Sequence, residues 1–263
     1  MKICAIGDPH GDIEKIKKIP LDNSIDLILV TGDLGNSNLM RQMAFDNAQR
    51  RKEGLEEIMY TSEQKKDAFM EAHISSIEIM KCLRKIAPVK TIYGNVETSQ
   101  EDTRNLSEEV EFNLPILKAD LANIDVQVFN DELIRIEGID ILGLEYFIDT
   151  NWVEDFDPKN KEKTELAKSQ TRRAKSILDK FTNADILVCH QPPYGVLDRV
   201  NFKGAPKHWQ GKHAGSKVIL NYIQKQKPRF VFCGHIHEGM GEAKVGNTQV
   251  FNLGQGGYKI IEI

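Results

Sequence analysis

Short apolar runs alternate with helical patterns in the first half of the chain. The runs KICAIG, IDLILV and VKTIYG are almost wholly apolar and only a few residues long, which is typical of buried strands. Between the first two runs, DIEKIKKI places apolar residues at helical spacing. Strands that are separated by helices indicate a parallel sheet with crossover connections.

The segment of about 37–88, between the second and third apolar runs, predicts two helices inserted into the domain. Thr61, with Gln64 three residues later, fits the capping box that begins a helix. We expect the insertion to be helical and peripheral to the sheets. Its apolar side chains need a surface to bury them, and they are Leu39, Met43, Phe69, Ile77 and Met80.

The second half of the chain predicts more strands and one long helix. LIRIEG and IDILGLEY fit a hairpin that turns at Gly138, and a helix follows over about 161–181. DILVCH and PRFVFCGH are again buried-strand patterns, and Gly246-Asn247 is typical of a tight hairpin turn. We therefore expect one α/β domain over 1–263, in which two sheets pack face to face and are flanked by helices.

Composition and charge restrict the classes of partner. Hydrophobic residues make up 40% of the 263 residues and charged residues 28%, which is ordinary for a globular protein. The 35 Lys and Arg against 39 Asp and Glu give a net charge of −4, which argues against a nuclease and a nucleic-acid partner. No apolar run approaches the roughly 20 residues of a membrane span, and the charged residue Asp8 comes too early for a signal peptide. We expect a cytoplasmic protein without membrane contact; the sequence leaves open whether it is a homo-oligomer.

Residues of the metal-ligand type follow several of the predicted strands. Ligands in α/β proteins collect at the carboxyl ends of parallel strands. His235 and His237 are alternate residues, so in an extended segment both side chains project the same way. Imidazole, carboxylate and amide donors suit Mn, Fe, Zn, Co or Ni. The candidates are too many for one tetrahedral site and fit two metals that share a bridge: Asp8, His10, Asp33, Asn95, His190, His235 and His237.

Taken singly, each candidate has a structural alternative. The Asp8-Pro9 pair fits a turn, Asn95 fits a loop cap, and a lone histidine after a buried strand is often a core residue. Asp12 fits either a helix cap or a partner that orients a ligand histidine, and Trp209 fits either packing or base stacking. The common order of the candidates favours the metal site.

That order, D-x-H, G-D, G-N, H and G-H-x-H over residues 7–237, resembles the calcineurin-like metallophosphoesterase superfamily, in particular its small phosphohydrolases and phosphodiesterases. The resemblance implies a four-layer α/β sandwich of two mixed sheets flanked by helices. It also implies one metal on Asp8, His10, Asp33 and His237, and a second on Asn95, His190 and His235, with Asp33 as the bridge. The block Gly32-Asp33-Leu34-Gly35 lacks the arginine that Ser/Thr protein phosphatases carry.

Two cations about 3.5–4 Å apart can clamp the attacking and leaving oxygens of a phosphoryl group. The water between them loses its proton near neutral pH, and the resulting hydroxide attacks phosphorus in line. We therefore expect hydrolysis of a small phosphate-ester substrate with two divalent metal ions, manganese being favoured over iron, zinc, cobalt and nickel.

Two positions depart from the superfamily pattern. Val96 replaces a histidine that contacts the phosphate and assists the leaving group, and Pro9 lies inside the first block. General acid assistance is worth about 10²–10⁴-fold, so we expect phosphodiesters to be favoured over alkyl monoesters. His213, on the loop after His190, is the candidate for a catalytic residue that partly replaces the missing histidine. The alternative function, supported only by Val96, is a catalytically weak or inactive metal-binding interaction scaffold.

Overall fold

Two sheets form the framework of the computed structural model, which describes residues 1–263. The strands are β1 (Lys2–Ile6), β2 (Leu27–Val30), β3 (Val89–Thr91), β4 (Val126–Val128), β5 (Glu132–Ile136), β6 (Ile139–Leu144), β7 (Ile186–Cys189), β8 (Phe230–Cys233), β9 (Gly241–Val245), β10 (Thr248–Asn252) and β11 (Tyr258–Glu262). The first sheet has the order β11-β1-β2-β3-β4. Its strands β1 to β4 are parallel, and β11 runs antiparallel to β1 with Glu262 opposite Lys2.

The second sheet has the order β5-β6-β7-β8-β10-β9. Its four inner strands are parallel, and hairpins add β5 and β9 as antiparallel edges. Gly138 and Gly246 occupy the two hairpin turns with φ of 83° and 60°, a region that glycine enters without steric cost. Both hairpin predictions are confirmed.

Eight helices connect the strands. They are α1 (Ile13–Ile16), α2 (Asn38–Lys52), α3 (Ser62–Arg84), α4 (Gln100–Glu109), α5 (Leu117–Ala122), α6 (Thr150–Phe156), α7 (Lys161–Lys180) and α8 (Lys217–Gln226). Helix α7 confirms the long helix that the sequence predicts over about 161–181. None of the helices combines the length and the apolar character that crossing a membrane requires.

Three apolar cores separate four layers. Ile3, Leu29, Phe129 and Phe232 belong to the core between the two sheets. Helices α1, α3 and α5 pack on the outer face of the first sheet, and α7 and α8 pack on the outer face of the second. Burial of one such side chain contributes about 1.5–3 kcal/mol, so these layers hold the strand ends in place. The α/β four-layer sandwich of two mixed sheets is confirmed.

The segment 37–88 forms α2 and α3, and the capping box of Thr61 and Gln64 is present at the start of α3. Helix α3 buries Met80 and Leu83 against the outer face of the first sheet, so the expected burial of Met80 is confirmed and α3 is itself a layer of the sandwich. The expectation of a buried apolar face is wrong for Leu39, which is 46% exposed. Helix α2 contacts α3 and contributes no buried residue of its own.

Candidate metal centre

The loops that follow five strands bring the predicted ligands to one place. Asp8 and His10 follow β1, Asp33 follows β2, and Asn95 lies shortly after β3. The ligands of the second half follow β7 and β8 and are His190, His235 and His237. The carboxyl ends of parallel strands in both sheets therefore meet at one edge of the sandwich, where α/β proteins usually bind ligands.

One group of donor atoms is formed by Asp8, His10 and His237, whose ligand atoms all lie within 4.8 Å of one another. The Nε2 atoms of the two histidines are 3.3 Å apart, and Nε2 of His237 lies 3.3 Å from Oδ2 of Asp8. Nε2 of His10 also lies 3.5 Å from Oδ2 of Asp33. The separations within this group are short enough for one divalent ion to contact Asp8, His10 and His237 together.

A second group is formed by Asp8, Asp33 and His190 under the same 4.8 Å limit. His190 places Nδ1 3.7 Å from Oδ1 of Asp8 and Nε2 3.5 Å from Oδ1 of Asp33. Oδ1 of Asn95 lies 3.0 Å from Nε2 of His190 and 2.8 Å from Nδ1 of His235. Both carboxylates thus face both groups, each with one oxygen on either side, which is the arrangement that a shared ligand requires.

Glycine is required where the chain passes these carboxylates. A Cβ on Gly94 would lie 2.3 Å from Oδ1 of Asp33, and a Cβ on Gly234 would lie 2.1 Å from Oδ1 of Asp8. His10, Asp33 and His235 have φ of 45°, 49° and 64°. Such left-handed conformations cost non-glycine residues of order 1–3 kcal/mol each and cluster at functional sites. The backbone at these three residues is therefore strained in the conformation that places their side chains at the candidate metal centre.

Burial and mutual charge shift the pKa values of the ligand groups. Burial alone would raise the pKa of Asp8, but His190, His237 and the backbone N–H of His235 outweigh it and lower this pKa. Burial alone would lower the pKa of His190, but Asp33 and Asp8 outweigh it and raise this pKa. Burial, followed by the charge of His190, lowers the pKa of His235 to about 3. His235 is therefore neutral near pH 7, as a metal ligand must be.

Glu97 stabilises the loops that carry the ligands. Its carboxylate accepts backbone N–H hydrogen bonds from Asp33 (3.0 Å), Leu34 (2.7 Å) and Gly94 (2.7 Å). Burial, followed by the charge of Asp33, raises the pKa of Glu97 to about 7. Glu97 is absent from the predicted site residues, although its position directly after Asn95 and Val96 was a signal for it in the sequence.

Tyr146 is a further neighbour that the sequence did not indicate. Its ring centroid lies 5.6 Å from that of His190 and 5.4 Å from that of His235. Burial, followed by the charge of Asp33, raises the pKa of the Tyr146 hydroxyl to about 12. Tyr146 lies just past the end of β6, within the stretch LGLEYF, where no spacing separates it from ordinary core aromatic residues.

His213 is held by a buried carboxylate. Its Nδ1–H donates to Oδ1 of Asp198 (2.6 Å), and Asp198 also accepts the backbone N–H groups of Gly195 and Gly215. The next residue, Ala214, packs in one small apolar cluster with Ile236, which lies between two of the candidate ligands. The loop of His213 is therefore anchored beside the segment that carries His235 and His237.

Asp12 and Trp209, for which the sequence left two roles open, have structural roles as a helix cap and a packing residue. Asp12 caps α1, because its Oδ1 accepts the backbone N–H of Lys15 at 2.9 Å. The ring of Trp209 packs edge-on against Trp152 and Phe156, with centroids 5.8 Å and 5.3 Å away. Neither residue is needed as a ligand or as a stacking surface to explain its place.

Comparison with known proteins yields one family and several partial relatives. The family model described as calcineurin-like phosphoesterase matches residues 1–239. Metallophosphoesterase domain-containing protein 1 of Homo sapiens is 38% identical over 85 residues, which are 30% of this chain and 24% of that protein. An uncharacterised protein of Methanocaldococcus jannaschii is 41% identical over 69 residues, 25% of this chain and 29% of that protein. These matches cover only about a quarter of the relatives' own lengths.

Among solved structures, the phosphopantetheinyl hydrolase PptH from Mycobacterium tuberculosis is similar in fold, with a TM-score of 0.56 and 13% sequence identity. The similarity covers 97% of this chain and 89% of that chain. The fold, the grouped Asp and His side chains and a family model that spans most of the chain agree with one another. The chain belongs to the calcineurin-like phosphoesterase family.

Proposed function

We propose that the protein is a metal-dependent phosphoesterase that holds two divalent cations and favours phosphodiesters. The observation that carries this proposal is the placement of Asp8 and Asp33, each of which faces two separate groups of histidine donors. The donor set of carboxylate, imidazole and amide oxygen fits Mn²⁺ and similar borderline divalent ions. As the family resemblance implies, Asp33 is assigned as the bridge.

When bound, two cations would supply the charge that acidifies a water and stabilises the phosphoryl oxygens. The chain itself orients its donors for this task. Nδ1–H of His190 donates to the Thr31 carbonyl (2.9 Å), which leaves Nε2 as the nitrogen that faces Asn95 and Asp33. The Thr31 hydroxyl donates to Oδ1 of Asp8 (2.9 Å) and holds that carboxylate in place.

The preference for diesters follows from Val96, which has no proton to give. His213 is the proposed source of partial assistance, since Asp198 occupies its Nδ1 and leaves Nε2 for proton exchange. An orienting carboxylate behind a histidine fixes the tautomer in this way. An activated aryl diester needs little proton assistance to the leaving group, whereas an alkyl monoester needs more.

Metal analysis combined with a hydrolysis screen tests the proposal. The protein should bind two Mn²⁺ per chain and hydrolyse bis-p-nitrophenyl phosphate faster than an alkyl phosphomonoester. Asp33→Asn should weaken both metal sites, whereas His213→Ala should leave metal content unchanged and slow poor leaving groups most. A protein that binds no Mn²⁺, or that binds two ions and hydrolyses no ester, contradicts the proposal; the second result instead supports an interaction scaffold.

A further inference from the structure

A polar cavity opens beside the candidate metal centre. Its volume is about 270 Å³, and none of its eight lining residues is hydrophobic. The loops after β1 and β2, the start of α2 and the turn before β11 contribute His10, Gly11, Asp12, Asn36, Ser37, Asn38, Arg41 and Gln255. His10 belongs to both the cavity and the candidate metal centre, so a molecule that reaches one can extend into the other.

The two charged side chains that line the cavity, Arg41 and Asp12, form no ion pair with each other. The guanidinium of Arg41, in the first turns of α2, forms no ion pair. The one carboxylate of the lining, Asp12, is already engaged as the cap of α1. A second cation, Lys15, donates to the backbone carbonyl of Gln255 at 2.5 Å. An arginine without a partner beside a polar cavity is suited to an external anion.

The start of α2 adds an independent observation. Ser37 is the residue before this 15-residue helix, and its side chain makes no capping hydrogen bond. Ser37 is only 3% exposed, and its Oγ has no hydrogen-bond partner. A buried hydroxyl without a partner is costly, and a ligand that occupies the cavity supplies one. The positive end of the α2 dipole also favours an anion at this position.

We propose that this cavity binds a second phosphate group of the substrate, while the phosphate that is hydrolysed lies at the metal centre. The substrate class is therefore a phosphodiester in which the retained organic substituent carries a further phosphate or phosphonate a few bonds away. A tetrahedral anion offers three oxygens, which match the fork of Arg41, the hydroxyl of Ser37 and the amides of Asn36 and Asn38. This inference rests on the proposed function for the position of the first phosphate.

Binding of two product analogues tests the proposal without turnover. Ethyl phosphate and 2-phosphonoethyl phosphate differ only in the second anionic group, and their affinities for the Mn²⁺-loaded protein are measured by titration calorimetry after unbound metal is removed. The wild-type protein should bind the phosphonate compound at least about tenfold more tightly. Arg41→Gln should reduce this preference to about threefold or less.

Arg51→Gln is the matched control, because Arg51 lies on the same helix and pairs with Glu57 at 2.7 Å. This variant should keep the wild-type preference. Equal affinities in the wild-type protein, or a preference that survives Arg41→Gln, would overturn the proposal. Loss of the preference in both arginine variants would also overturn it, since general charge would then account for the effect.

A kinetic comparison separates the two proposals from each other. Ethyl p-nitrophenyl phosphate and 2-phosphonoethyl p-nitrophenyl phosphate have the same leaving group, so the ratio of their kcat/KM values reports the second anion. Hydrolysis of the ethyl ester with a ratio near one overturns the phosphate subsite and leaves the phosphoesterase standing. The binding preference without hydrolysis of either ester supports the subsite and overturns the phosphoesterase.

Discussion

Gly234 lies so close to Asp8 that the methyl group added by Gly234→Ala should displace the Asp8 carboxylate from the candidate metal centre. In Gly234→Ala, the new Cβ would lie 2.1 Å from Oδ1 and 2.4 Å from Oδ2 of Asp8. Asp8 is completely buried, so its carboxylate cannot move away from the new Cβ without displacing its neighbours. The carboxylate must therefore leave the position in which it faces both donor groups.

The size of the effect follows from the contacts that Asp8 loses. In its present position it accepts hydrogen bonds from the Thr31 hydroxyl and from the backbone N–H of His235. Hydrogen bonds to charged groups are worth about 1.5–3 kcal/mol each, so the unfolding free energy should fall by about 3 kcal/mol or more. For a domain of this size the melting temperature then falls by about 6–12 °C.

The affinity for metal should also fall, and at both sites, because Asp8 faces both groups of donor atoms. Changes to residues that merely orient a ligand already cost about 10–100-fold in metal affinity. Titration of the metal-free protein with Mn²⁺, together with thermal unfolding by circular dichroism, measures both effects. Gly234→Ala should lose at least that factor at both sites.

Gly246→Ala is the control, since no atom lies within 4 Å of its added Cβ. Its φ of 60° makes alanine strained by about 1–2 kcal/mol, so this variant should lose stability but keep its metal affinity. Wild-type Mn²⁺ affinity in Gly234→Ala, or an equal loss of affinity in both variants, would refute the reasoning.

Further predictions follow from other contacts. Glu97→Gln should lower the unfolding free energy by about 1–3 kcal/mol in thermal denaturation, because an amide cannot accept all three backbone N–H groups; an unchanged melting temperature would contradict this. Leu83→Ala should cost about 2–5 kcal/mol, whereas exposed Leu39→Ala should change stability by less than about 0.5 kcal/mol; similar costs would contradict the assignment of α3 to the core. Asp198→Asn should slow esters with poor leaving groups more than activated aryl esters, and equal losses would leave Asp198 with a structural role alone. Mn²⁺ affinity should fall as the pH falls, because a proton competes for Nε2 of His190, whose pKa is raised, whereas the lowered pKa of His235 keeps that side chain neutral; an affinity that stays constant to well below the ordinary histidine pKa of about 6.5 would contradict this.

Local pattern was sufficient for elements that are long or uniformly apolar. β1, β2, β7, β8 and the helix α7 lie where the sequence predicts them. The three-residue strand β4 escaped prediction, because so few positions cannot display a period of two. The six-residue helix α5 is also too short to display the helical period of 3.6 residues, although its residue Leu121 is completely buried.

The place of α3 depended on tertiary packing. The spacing of its apolar residues predicts a helix with one buried face, but it does not say which surface covers that face. The structure places Ile79, Met80 and Leu83 against the first sheet, which makes α3 a layer of the sandwich. Helix α2 contacts α3 and contributes no buried residue, because its apolar residues are spread around the helix and do not gather on one face.

The sequence by itself determined the type and order of the candidate ligands, since each follows a strand whose apolar run is visible in the chain. Only the tertiary structure decided which atoms face one another. The hydrogen bond from the His235 backbone to Asp8 joins residues 227 positions apart, and that from Leu34 to Glu97 joins residues 63 apart. A side chain's alternation along a strand is set by its immediate neighbours, whereas such contacts depend on how two sheets and their loops pack, which no local period records.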